Sequence, residues 1–225
     1  MLRPLISLVA YVALFAAFLF VPARTMQWRA AWILLAVLLV VRGASTIRLW
    51  RVRRDLLIER TKPMIQRDQL AADRVLLMAF MAAYAALIAF ASIDRWRLHL
   101  FHPIPAWLRV TGLMIFAAGW IVIHFALDAN AFAVRVVRYQ PDRGHTVADG
   151  GLYRTIRHPM YAGVILVMIG FSLWLGSTAA LIGVVVPTVI AAIRIVHEER
   201  MLRTTLDGYP AYTTRVRWRL LPGVW

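Results

Sequence analysis

Two short stretches carry most of the side chains that could do chemistry. The first, "GLYRTIRHPMYAG" (151–163), sets two arginines, a histidine, two tyrosines and a proline directly before a long apolar run. Pro159 suits the first position of a helix, where its missing N–H costs nothing. Arg157 and His158 then stand at the helix entrance, where free N–H groups and the positive end of the dipole favour a carboxylate or phosphate. The second stretch, "RIVHEER" (194–200), places Arg194 and Glu198 four residues apart on one helix face. Arg194 falls inside an apolar segment, where a charge is costly and usually functional. His124 and Asp128 repeat the four-residue spacing near the end of another apolar segment, as a structural ion pair or as part of a site.

Several chemistries are excluded or disfavoured. With no cysteine in the chain there is no disulfide, thiolate metal site or Cys nucleophile. His158, His197, Glu198 and Glu199 could supply metal ligands, but no HExxH spacing is present and no metal is expected. No serine sits in a G-x-S-x-G turn. The "DGG" at 149–151 follows no strand and is not a dinucleotide fingerprint.

The elements that must position these residues are membrane helices. Of 225 residues 61% are hydrophobic and 16% charged, and the mean hydropathy is +0.68. A soluble domain averages nearer half apolar and a quarter charged. Six apolar segments follow one another at roughly 5–22, 30–49, 74–92, 107–127, 159–175 and 179–197. The expected fold is an all-α polytopic bundle in one domain (1–225), with the spans of 1–127 as scaffold and 128–225 as the cofactor-binding and catalytic region. The N-terminal run reads as a first span rather than a cleaved signal peptide. "LGSTAA" predicts a tight hairpin between the last two spans. His158 lies nineteen residues before Ser177 and His197 twenty after it. At about 1.5 Å per residue the two arms match, which brings His158 and Glu198 to the same depth.

The net charge of +15 resides almost wholly in arginine, Lys62 being the one lysine. The arginines cluster in alternate links: Arg51, Arg53, Arg54, Arg60, Lys62 and Arg67 in 50–73, Arg135, Arg138, Arg143, Arg154 and Arg157 in 128–158, and the C-terminal tail. This pattern predicts cytoplasmic termini and a cytoplasmic site rather than a nucleic-acid partner, and the lack of cysteine with the bias to arginine over lysine points to a bacterial inner membrane. Trp28, Trp50, Trp96, Trp107 and Trp218 fall near span ends, as an interfacial belt requires.

The C-terminal motifs match something known. "HTVADGGLYRTIRHPMYAG" (145–163), "RIVHEERML" (194–202) and "LDGYPAYTTRVRWRLLPGVW" (206–225) resemble, in order and with sensible gaps, the isoprenylcysteine carboxyl methyltransferase family, to which phospholipid N-methyltransferases are related. The resemblance implies a helical membrane protein without a Rossmann domain, binding S-adenosylmethionine at the cytoplasmic end of its last helices. It implies cofactor contacts at His145, Thr146, Val147, Ala148, Tyr153, His158, Pro159, Met160, Tyr161 and Glu198. It also implies catalytic roles for Arg194 and Glu198, with Arg194 in the pocket of a lipid or other lipophilic acceptor. Leu152 stands where the family often has proline, and Arg138 where it has glutamine, so no contact is carried over to Arg138.

Such a cofactor explains the polar mouth. A helix entrance suits its carboxylate, Glu198 its cation, and tyrosines its adenine or sulfonium. Methyl transfer needs alignment and desolvation rather than a covalent intermediate. Two other readings stand beside it: an NADPH-dependent sterol-type reductase of similar architecture, and a non-catalytic lipid-binding membrane protein. The tail, with Val216, Trp218 and Leu220 expected to face inward, would act as a lid.

Overall fold

The computed structural model describes residues 2–66 and 69–225; Arg67, counted above with the basic link, lies outside them. The described residues are helical, with no strand. The helices are α1 (Leu2–Ala23), α2 (Arg29–Val52), α3 (Arg54–Glu59), α4 (Ala71–Ile93), α5 (Ala106–Ala129), α6 (Pro159–Leu175), α7 (Thr178–Gly183), α8 (Val185–Thr205) and α9 (Tyr209–Arg215). Five stretches are long and apolar enough to cross a membrane: α1, α2, α4 as far as Leu98, α5, and α7–α8 together. The seventeen-residue α6 is the sixth apolar helix. Outward side chains such as Leu39, Val40, Met114, Ile121, Val185 and Val189 are exposed, as lipid contact requires.

Sequence features set the ends of α6. Pro159 occupies its first turn, and Gly176 ends it with a φ of +81°, a conformation open to glycine and costly for other residues. Ser177 then caps α7, accepting from the Ala180 N–H at 3.0 Å. The connection is as short as the sequence suggested. Along their lengths, however, the two arms take other partners: α6 lies chiefly against α5, and α8 against α4. The reason is glycine. A Cβ on Gly170 would overlap the backbone of Phe116, and one on Gly119 the backbone of Gly163 and Val167. The two backbones therefore meet without side chains between them, as small residues permit in membranes.

At the end away from the site, the Ser177 hydroxyl donates to Asp94, whose other oxygen accepts from the Leu100 N–H at 3.0 Å. Arg109 Nε donates to the Trp174 carbonyl at 3.0 Å. These bonds fix the turn, and the α5–α6 contact fixes the depth of α6. Together they determine where His158, Met160 and Tyr161 emerge at the opposite end.

Candidate functional site

At that opposite end one cavity, of about 800 Å³ including its open mouth, lies between the 130–148 segment, the start of α6, the last turns of α8, and α9. The structure brings His145, Thr146, Val147, Ala148, Tyr153, His158, Met160, Tyr161, Arg194 and Glu198 onto its wall. Of the contacts that the resemblance implied, Pro159 alone is absent from the lining; it starts α6 and is buried. His124 and Asp128 are not part of this wall. They turn to α2 instead, His124 Nδ1 to Ser45 Oγ at 2.8 Å and Asp128 to Arg48 at 2.8 Å. They are thus neither paired with each other nor in the cavity.

The two adjacent glutamates of α8 part company. Glu199 is 2% exposed and accepts from Arg157 Nε at 2.6 Å, Arg157 Nη2 at 3.3 Å and Arg219 Nε at 3.0 Å. His158 Nε2 lies 3.2 Å from the same carboxylate. The imidazole expected to meet a ligand carboxylate is therefore directed at an internal one. Glu198 lines the cavity, and the Tyr161 hydroxyl, donating at 3.0 Å, is its one protein donor among the described residues. Its remaining acceptor capacity is open to a cation.

Arg194 is 6% exposed, and its charge is balanced within the protein. Its Nε donates to Asp73 Oδ1 at 2.6 Å and its Nη2 to the Arg135 carbonyl at 2.7 Å. Asp73 also accepts from Gln69 Nε2 at 2.7 Å and the Val137 N–H at 2.9 Å. This carboxylate ties α4 and the 130–140 segment to α8, and it holds Arg194 against the Tyr161 ring, 5.8 Å from its centroid. Sequence reasoning missed Asp73. Its signal was an acid in the first turn of a span, easily taken for a helix-end charge.

The C-terminal tail braces the entrance of α6. The Arg157 N–H donates to the Trp218 carbonyl and the His158 N–H to the Arg219 carbonyl, both at 2.9 Å. Arg157 Nη1 donates to the carbonyls of Val216 and Arg217 at 2.7 and 2.9 Å. Irregular backbone beside a span must find internal partners, and the tail supplies them. Val216 is buried and Leu220 packs beside Tyr161 and Phe80, but Trp218 is exposed rather than inward. In α9, Tyr209 and Tyr212 close one wall, and the Tyr212 hydroxyl donates to the Tyr153 carbonyl at 2.7 Å.

Burial sets the ionisation of the wall. Desolvation pushes the Tyr153 phenol up to about 12, despite a side-chain hydrogen bond from Asn130, and raises Tyr209 and Tyr212 further. Desolvation, aided by the Arg143 charge, brings His145 down to about 4, so its ring is neutral near pH 7. That ring lies 4.6 Å from Phe132 and 5.8 Å from Tyr139, centroid to centroid. Its Nδ1 is buried and lacks a protein partner. The cavity thus offers a carboxylate, neutral hydroxyls, an unpaired imidazole nitrogen and aromatic faces, a set suited to a flat heterocycle joined to a cation.

Residues 107–207 match the family model described as phospholipid methyltransferase. The matched region runs from the start of α5 to just past α8, and so includes the 130–148 segment, the start of α6, Arg194 and both glutamates. No curated protein matches the chain. Over residues 107–207 the chain is therefore similar to the phospholipid methyltransferases, and it carries this likeness on helices long and apolar enough to cross a membrane.

Proposed function

We propose that this protein, similar over residues 107–207 to the phospholipid methyltransferases, transfers a methyl group from S-adenosylmethionine to a lipophilic acceptor at the mouth of the cavity between α6, α8 and α9. Glu198 carries the reading: a carboxylate on the cavity wall that, among the described residues, meets one hydroxyl and has no cation within ion-pair distance. The residues present fit the cofactor. Glu198 would hold its ammonium, His145 Nδ1 would meet a donor on its heterocycle, and Tyr153, Phe132 and Met160 would flank it. When bound, the cofactor supplies an electrophilic methyl on sulfur.

The protein's part is positioning and exclusion of water. Tyr161, donating to Glu198, keeps that carboxylate aimed into the cavity. Arg194, fixed by Asp73, presents a guanidinium beside Tyr161 where the acceptor's polar end would arrive. Tyr209 and Tyr212 of α9 complete the cavity wall. The acceptor enters from the bilayer, and the methyl is received by carboxylate oxygen or amine nitrogen, as in isoprenylcysteine carboxyl methyltransferases or phospholipid N-methyltransferases. The basic links support a cytoplasmic position for the cavity.

Binding to detergent-purified protein tests the proposal. S-adenosylhomocysteine is expected to bind and NADPH not to. The reverse preference would make the protein a reductase, and binding of neither would remove the catalytic reading.

A further inference from the structure

The far end of the bundle holds a second opening, between the end of α4, the start of α5 and the turn from α6 to α7. Asp94, Arg95, His99, Ile104, Arg109 and Gly176 are among the residues that line it. The seventeen residues of α6, about 25 Å at 1.5 Å per residue, separate it from the cofactor cavity, with which it shares no residue. At this opening α4 runs on into a π-helical turn, Asp94–Leu98, a rare form found often at functional sites. His99 closes the turn with a φ of +49°, uncommon outside glycine.

Asp94 holds this shape. Its backbone carbonyl accepts from the His99 N–H at 2.9 Å, one carboxylate oxygen from the Leu100 N–H at 3.0 Å, and the other from the Ser177 hydroxyl. At 4% exposure, with both oxygens occupied, that carboxylate is committed to the fold. The guanidiniums are not. A Cβ on Gly176 would stand 3.7 Å from Arg109 Nε and 3.8 Å from Arg95 Cδ, so the two side chains meet over one bare stretch of backbone. Arg109, half-buried, spends its Nε on the Trp174 carbonyl, a neutral acceptor, at 3.0 Å. Neither arginine is within ion-pair distance of an acid among the described residues. Even with Asp94 counted in full, two guanidiniums against one carboxylate leave the opening with an excess positive charge. Two like charges brought over one glycine repel unless an anion lies between them. Their remaining N–H groups form the planar forks that suit an oxyanion.

We propose that Arg95 and Arg109 form a site for a phosphate-like oxyanion on the membrane face opposite the cofactor cavity. The anion is a structural ligand and takes no part in methyl transfer, so the site stands apart from that reading. Held over the Gly176 turn by one arginine from the end of α4 and one from the start of α5, it bridges the elements that set the depth of α6. A phospholipid headgroup of that leaflet and free phosphate share the chemistry the site recognises.

Calorimetry on the full chain in an uncharged detergent tests this, with dihexanoyl phosphatidylglycerol, inorganic phosphate and, as the uncharged control, dihexanoylglycerol. Wild type is expected to bind a phosphate-bearing probe more tightly than the glyceride. Arg95→Gln, a change at an exposed side chain, should bind that probe about tenfold weaker, one charge-assisted hydrogen bond being worth that much. Arg109→Gln should lose as much. Should it not fold for want of its bond to Trp174, Arg109→Lys keeps the charge without the guanidinium fork and should still bind more weakly than wild type. The same probe should raise the unfolding midpoint of wild type and leave that of Arg95→Gln unmoved. Tighter binding of phosphatidylglycerol than of phosphate identifies the anion as a lipid headgroup; equal binding identifies it as free phosphate. Wild type that binds neither phosphate-bearing probe better than the glyceride overturns the proposal. So do Arg95→Gln and Arg109→Lys proteins that bind the probe as wild type does, since the anion would then sit on some other basic surface.

Discussion

Glu199 is surrounded by donors from the α6 entrance and the tail, while Glu198, one residue earlier, meets a single hydroxyl and looks into a cavity. The residue type, the helix and the level are the same. What differs is which neighbour stands opposite. Glu199 faces Arg157, His158 and Arg219, which move with the fold; Glu198 faces space that the fold leaves open. A buried carboxylate whose charge is matched internally holds chain segments together, whereas one at a cavity wall without a cation is available to a ligand.

The largest effect should follow from breaking the saturated side. Glu199→Ala leaves Arg157 buried without its counter-charge and frees the tail residue Arg219, so a loss of about 3–5 kcal/mol is expected. The unfolding midpoint in detergent measures it, and complete failure to fold agrees with the same account. A variant as stable as wild type would erase the distinction between the two glutamates. On the open side, Glu198→Gln is expected to leave the unfolding midpoint near that of wild type. It should weaken S-adenosylhomocysteine binding by about 2–5 kcal/mol, as for a desolvated charge losing its partner. If stability fell instead of affinity, Glu198 would be structural like its neighbour.

A smaller effect sharpens the picture of the cavity wall. His145, like Glu198, has capacity the protein does not satisfy, and burial lowers it from 6.5 to about 4. The unfolded chain therefore takes up this proton first as pH falls. The stability due to a neutral His145 is present above 6.5 and is lost progressively down to about 4. Thermal unfolding of wild type and His145→Phe across that window should show a steeper acid loss in wild type. Partial exposure of the ring keeps the difference modest. Parallel pH profiles would mean that His145 is as well solvated folded as unfolded.

Much of this was legible in the sequence because it is local. The apolar runs located the helices to within a few residues at most ends, and α8 continued to Thr205 through its polar last turns. The motif 145–161 and the pair Arg194 and Glu198 reached one cavity because a short turn returns the chain to its starting level. What stayed hidden depends on partners distant in the chain. Arg194 is neutralised by Asp73, 121 residues away, and nothing in either local sequence names the other. The fate of Glu199 depended on a tail that folds back to the α6 entrance. The packing of α6 on α5 did leave a trace: Gly112 and Gly119 are two turns apart, as are Gly163 and Gly170, so each pair marks one smooth face.

If the cavity delivers a methyl group to a lipid and Glu198 makes it a cofactor site, one transfer experiment should show both. Incubation of purified wild type and Glu198→Gln with methyl-labelled S-adenosylmethionine and total membrane lipid tests it most directly. The account predicts label in an extractable lipid with wild type, at cofactor concentrations where Glu198→Gln transfers little. No enzyme-dependent label with wild type, or equal labelling by both proteins at limiting cofactor, would contradict it.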